Sequence, residues 1–161
     1  DRLEFRHNGI PFDEKDVIGI CGIVEASKAT RINLKQIGKF GIGFKSVYAY
    51  TTAPEIHSQD KCFCIQAYVK PYSKDPRKDI HSDETLLVIS FNKKNEKLEV
   101  AYKEISERLQ KLGPRTLLFL RNLEEVSYKI GKMEGWKIVE KYYSFRVYLY
   151  EIATPIKIGS Q

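Results

Sequence analysis

Cysteine is scarce, with three in 161 residues, and Cys21, Cys62 and Cys64 cannot build a disulfide framework. No C-x-x-C pair occurs, which excludes a zinc site of the usual spacing. Cys62-Phe63-Cys64 alternates as a strand does and places both thiols on one face, expected to be a core face. Thiols used in this way fit a reducing, intracellular compartment, cytoplasmic or nuclear. Long apolar runs are missing as well. None approaches the roughly 18 residues of a membrane span, and Asp1-Arg2-Leu3-Glu4 has no signal-peptide character, so no membrane partner is expected. Two common phosphate loops are also absent. A Walker loop needs Lys directly after the last glycine of G-x-x-x-x-G, a place held here by Phe44, with Lys45 one position beyond. The dinucleotide fingerprint G-x-G-x-x-G is reversed to G-x-x-G-x-G, with Ser46 where its third glycine would stand.

What is present is a soluble, globular balance of 42% hydrophobic and 30% charged residues, which excludes disorder. The net charge of +6 and pI near 9.1 suit an anionic partner, whether a nucleotide, a nucleic acid or an acidic protein surface. The basic runs, Lys-Asp-Pro-Arg-Lys at 74–78 and Lys93-Lys94, read as solvated loop faces. The most informative stretch is Ile37 to Ser46, Ile-Gly-Lys-Phe-Gly-Ile-Gly-Phe-Lys-Ser, followed by the helix-compatible Val47-Tyr48-Ala49-Tyr50. Glycines running into a helix leave backbone N–H groups pointing outward at its positive end, a cradle for phosphate. Lys39 and Lys45 add positive charge. The bland alternative is a helix after a loop whose glycines only adapt the backbone.

In chain order, Leu3 to His7 reads as a strand, Asn8-Gly9 with Ile10-Pro11 as a turn, and Asp13 as the cap of a helix carrying Val17, Ile18, Cys21 and Val24. Residues 25–37, polar and aperiodic, read as a mobile lid. Strands are expected at 54–58 and 62–69, an exposed loop at 70–84, and a strand from Thr85 to Phe91. A helix from Val100 to Leu112 is stopped by Gly113-Pro114. Thr116 to Leu120 reads as a strand buried on both faces, followed by strands at Val126 to Ile130 and Tyr142 to Ile152. Helices early and strands late predict an α+β sandwich with a mixed or antiparallel sheet.

Taken together, the strand ending in His7-Asn8-Gly9-Ile10-Pro11-Phe12, the capped helix, the Ser27-Lys28 segment, the glycine stretch and the strand Glu84 to Ile89 resemble the Bergerat-fold (GHKL) ATPases. That superfamily holds DNA gyrase, heat-shock chaperones, histidine kinases and mismatch-repair ATPases. The sequence is most similar to the N-terminal ATP-binding domain of sacsin-like proteins, over most of residues 3 to 130. The resemblance implies a single ATP-binding domain over 1–161. Its fold would be a Bergerat-type two-layer α/β sandwich, a mixed, mostly antiparallel sheet covered by helices on one face. It also implies Mg²⁺-bound ATP as cofactor, and a lid that couples nucleotide state to conformational change in a larger protein.

Residue by residue, His7-Asn8-Gly9 takes the place of the family's Asp-x-Gly, whose carboxylate accepts the adenine amino proton. His7 departs from that pattern; a neutral imidazole nitrogen can accept the same bond, or the residue can simply cap a turn. Lys28 matches the lid segment near the phosphates, and Gly38, Gly41 and Gly43 match the phosphate-binding glycines. Lys39 is a phosphate partner and Phe40 a packing residue between them. Gly41, Ile42, Gly43 and Phe44 supply backbone N–H groups, and Lys45 is either a ligand or a surface charge. Thr85 matches the strand threonine near adenine, or is ordinary strand filler. In relatives the Mg²⁺ ligand and catalytic base lie on a helix upstream of the first strand. The chain is thus expected to be a fragment lacking that helix, with no catalytic or metal-binding residue of its own and ATP hydrolysis belonging to the full-length protein. Expected partners are ATP, other domains of the parent protein and a second copy of the chain; nucleic acid is allowed by charge but carried by no motif. The alternative is a nucleotide-independent nucleic-acid or protein interaction module on the same fold.

Overall fold

The computed structural model describes residues 2–22, 42–93, 97–117, 123, 125–134 and 137–146. It divides into two compact units, Asp1–Lys103 and Glu104–Gln161. The first carries a five-stranded sheet in the order β1-β5-β2-β3-β4, formed by β1 (Arg2–His7), β2 (Glu55–Ser58), β3 (Lys61–Gln66), β4 (Lys70–Ser73) and β5 (Thr85–Ser90). Every pairing in it is antiparallel. With α1 (Glu14–Cys21), α2 (Ile42–Lys45) and a 3₁₀ turn at Ser46–Ala49, the unit is α+β with a mostly antiparallel sheet, as the sequence predicts.

Strand β5 lies between β1 and β2, and its run Thr-Leu-Leu-Val-Ile-Ser is apolar enough to be covered on both faces. Leu86 and Thr85, which point to opposite faces, are both fully buried. On one face Ile56, Phe63 and Ile65 form a core with Cys21 of α1 and Tyr48 of the 3₁₀ turn, and Phe12, Val17, Ile20, Phe44, Val47 and Leu87 pack against it. Each such aliphatic side chain contributes about 1.5–3 kcal/mol when fully buried, so this face fixes where α1 and α2 sit.

Helix α1 starts where the sequence predicts. Asp13 and Asp16 form a reciprocal capping box, each backbone N–H donating to the other's carboxylate at 2.9 Å. It ends earlier than the periodicity to Val24 implies. Gly22 turns extended (φ −70°, ψ 148°) while its N–H still reaches the Ile18 carbonyl, and a Cβ there would stand 2.8 Å from that oxygen. Strand β3 likewise stops at Gln66 rather than Val69, because Ala67 (φ 48°) and Tyr68 (φ 68°) enter the left-handed region. The chain then forms β4 inside the segment expected to be a loop. All four of its residues are exposed, and Pro71 is tolerated because β4 pairs only with β3 among the described residues.

The rest of that segment is not simply solvated. Register puts Glu4 and Arg6 on the face opposite the helices, beside Val88 and Leu86. There Arg77 Nη1 meets Glu4 at 2.9 Å and Arg77 Nη2 meets Asp79 at 2.7 Å, while Arg6 holds Asp79 by its carboxylate and its carbonyl, both at 2.8 Å. The Arg77 and Arg6 guanidinium groups hold the Asp79 carboxyl well below the usual carboxylate range. Cys62 and Cys64 share this face, the register partners of His57 and Glu55; Cys64 is buried and Cys62 half-buried.

Helix α3 (Leu98–Gln110) covers most of the helix expected at Val100 to Leu112, beginning and ending two residues earlier. After it, Pro114 opens a short helix, α4 (Pro114–Leu117), instead of ending structure before a strand. Proline suits the first helical turn, whose N–H groups have no intrahelical acceptor, so the start of the strand expected at Thr116 is helical; residues 118–120 lie outside the described residues. In the second unit β6 (Glu125–Glu134) and β7 (Lys137–Arg146) pair antiparallel, with Tyr128 and Tyr143 stacked at 4.8 Å. The expected strand end at 147–152 lies outside the described residues. No helix among the described residues is long and apolar enough to cross a membrane.

Candidate functional site

The antiparallel register of β1, β5 and β2 aligns three polar side chains at one end of the sheet: His7 opposite Thr85, and Thr85 opposite Ser58. Register partners share a face, and this row lies on the helix-covered side, since the Phe12 N–H donates to Ser58 Oγ at 2.9 Å while Phe12 packs into the core cluster. Thr85 and Ser58 are both fully buried, and their hydroxyls bond each other at 2.6 Å. Two of the residues singled out by sequence, His7 and Thr85, are thus brought side by side, and Ser58 joins them unforeseen. Nothing in Glu55-Ile56-His57-Ser58 distinguishes that serine from strand filler, because register cannot be read from one strand alone.

His7 closes the turn that follows it. The Gly9 N–H donates to His7 Nδ1 at 3.1 Å, a side-chain mimic of a backbone turn. A Cβ on Gly9 would stand 3.1 Å from the same nitrogen, so glycine there keeps the imidazole in place. Asn8, between them, is exposed. Partial burial pushes the His7 pKa down, which favours the neutral ring that this bond requires.

The glycine stretch enters the described structure at Ile42, the first residue of α2; Lys28, Gly38, Lys39, Phe40 and Gly41, and the lid expected at 25–37, lie outside it. Gly43 is exposed, and a Cβ there would meet nothing within 4 Å. Phe44 packs on the core, its ring edge-on to Tyr48 at 6.4 Å. Lys45 is committed inward: its ammonium donates to the Ile20 carbonyl at 2.9 Å and the Tyr68 carbonyl at 2.6 Å, and lies 5.8 Å from the Tyr48 ring centre. It ties the end of α1 to the left-handed turn after β3. Tyr48 itself is buried, with no hydrogen-bond partner for its hydroxyl among the described residues, and burial pushes its pKa up to about 12.

A second polar feature, also unforeseen, lies on the other face. An open depression of about 550 Å³ is lined by Glu55, His57, Ser73, Lys74, Asp75 and Arg77. His57 is 2% exposed, with neither ring nitrogen hydrogen-bonded among the described residues and Nε2 3.6 Å from Glu55. Burial lowers its pKa against the opposing pull of Glu55. Among the described residues no group of three His, Cys, Asp or Glu side chains could hold a metal ion.

No curated protein and no solved structure matches this chain. The sequence model of one family, described as the Sacsin domain, matches residues 5–99. That span takes in strands β2 to β5 and the last three residues of β1, the His7–Thr85–Ser58 row and the glycine stretch, and it exceeds half of the chain: the protein belongs to the Sacsin domain family.

Proposed function

We propose that this Sacsin-family chain is a nucleotide-binding module of Bergerat type, taking a Mg²⁺-bound purine nucleoside triphosphate, with ATP as the ligand implied by the resemblance. The observation that carries the reading is the pairing of His7 with Thr85. Two motifs 78 positions apart in sequence, each matched to the family's base-binding positions, meet as register partners on the helix-covered face. The triphosphate would lie against the glycine stretch, where the backbone N–H groups of Gly41 to Phe44 and the charge of Lys39 stabilise it. The open space beside Gly43 is compatible with close approach of an anion. Residues 25–37 would close over it as a lid, coupling nucleotide state to movement of neighbouring domains. Mg²⁺ would be held chiefly by the phosphate oxygens.

Calorimetric titration of Mg-ATP into the chain, and into a version extended at its N-terminus, tests the reading. Gly43→Val is the informative variant: its side chain enters open space, so the sheet stays folded while the anion is blocked. Binding lost in Gly43→Val, with an unchanged circular dichroism spectrum, is the expected result. Undiminished affinity in that variant sinks the cradle. Affinity for DNA or RNA that falls steeply with salt and ignores nucleotide would favour the interaction-module reading instead.

A further inference from the structure

An imidazole that accepts a hydrogen bond at one nitrogen has, when neutral, its proton on the other. In His7 the accepting nitrogen is Nδ1, occupied by the Gly9 N–H at 3.1 Å. The remaining nitrogen, Nε2, is then an N–H donor. Protonating the ring would turn both nitrogens into donors and set Nδ1–H against the Gly9 N–H; it would not make Nε2 an acceptor. Flipping the ring would bring a carbon to Gly9 and lose the bond. Partial burial of the ring favours the neutral form, and Gly9, whose Cβ would crowd Nδ1, leaves room for the arrangement. Among the described residues no acceptor meets His7 Nε2, so this donor is available to a ligand. Its neighbours in the row, Thr85 and Ser58, are fully buried and bond each other at 2.6 Å, and neither meets Nε2.

We infer that His7 selects a purine bearing an acceptor at position 6, a 6-oxopurine such as guanine or hypoxanthine, over the 6-amino group of adenine. The inference rests on the nucleotide reading above, in which His7 faces the exocyclic group of the base. A carboxylate in that place only accepts and suits an amino group. A fixed imidazole N–H only donates, and against adenine it sets donor to donor, leaving two polar groups unpaired. A site that offers the wrong partner to a polar group discriminates more sharply than one that merely lacks a contact.

The test is a set of titrations of the wild-type chain with Mg-GTP, Mg-ITP and Mg-ATP. GTP and ITP should bind at least about tenfold tighter than ATP, the effect of one mismatched buried hydrogen bond. ITP separates the position-6 contact from any contact to the guanine amino group. In His7→Asp, where a carboxylate replaces the donor, the order should reverse. Gly9→Ala, which displaces the ring, should weaken the preference. ATP binding as tightly as, or tighter than, GTP and ITP overturns this inference and leaves the nucleotide reading standing. Failure of all three to bind overturns both. The wild-type comparison decides the matter even if a variant does not fold.

Discussion

Two histidines sit in this protein with their pKa values lowered by burial, and they give it a pH dependence whose sign can be derived. His7 loses solvent by partial burial; His57 lines the depression, where Glu55 favours its charged form and Arg77 and Lys74 oppose it. A folded-state pKa below the ordinary imidazole value of about 6.5 means that the unfolded chain binds more protons near that pH. The contribution to stability is therefore complete above that value and is lost as pH falls through it toward the folded pKa. Thermal denaturation should show the melting temperature dropping between pH 7.5 and 5.5, a window above the ordinary range of the carboxylates. The drop should be smaller in His57→Gln. A melting temperature that is flat or rises over that interval would contradict the placement of both rings.

At the scale of elements, Lys45 adds a polar tie to the apolar core that joins the first unit's helices to its sheet. The sequence marks it as a phosphate ligand or a surface charge; the fold gives it two carbonyls to hold. One belongs to Tyr68, whose left-handed backbone costs about 1–2 kcal/mol for a residue of its kind. That conformation is supported by the Lys45 bond and by the Tyr48 ring 4.5 Å away. Lys45→Met should lower unfolding free energy by about 1.5–3 kcal/mol, the range for hydrogen bonds to a charged group, as measured by urea titration. Nucleotide affinity should change little. A large loss of affinity with stability intact would return Lys45 to the phosphates. This residue also shows where a single sequence stops being legible. Capping at Asp13 and the apolar run of β5 are local patterns, and both were readable. The partners of Lys45 and Ser58, and the Glu4 carboxylate that Arg77 holds, lie 23 to 73 positions away and are set by register and turn geometry that no local pattern carries. For the same reason β4 is hidden inside a charged, proline-bearing stretch, and Pro114 reads as a stop where it serves as a start.

Across the whole molecule, burial is unevenly distributed, and stability should follow it. In the first unit β5 is flanked on both sides, covered on both faces and fully buried at Thr85 and Leu86, with Ile56 and Ile65 fully buried in β2 and β3. In the second unit, among the described residues, β6 and β7 form a two-stranded ribbon. Of its described side chains, Tyr142 is 62% exposed, the Lys129–Glu140 pair is solvent-facing, and Tyr128 and Tyr143 are half-buried against each other. A two-stranded ribbon alone is marginally stable in water, because neither strand has a second neighbour and one face at least stays wet. Local opening should therefore cost little in the ribbon and approach the global unfolding free energy in the sheet. Hydrogen–deuterium exchange followed by mass spectrometry should place the slowest amides in β5 and β2 and exchange those of β6 and β7 substantially earlier. Addition of nucleotide should slow exchange first around His7 to Gly9 and the glycine stretch, leaving the ribbon's rates as they were. Ribbon amides as slow as those of β5 without ligand would mean that its stability has a source other than the pairing of these two strands.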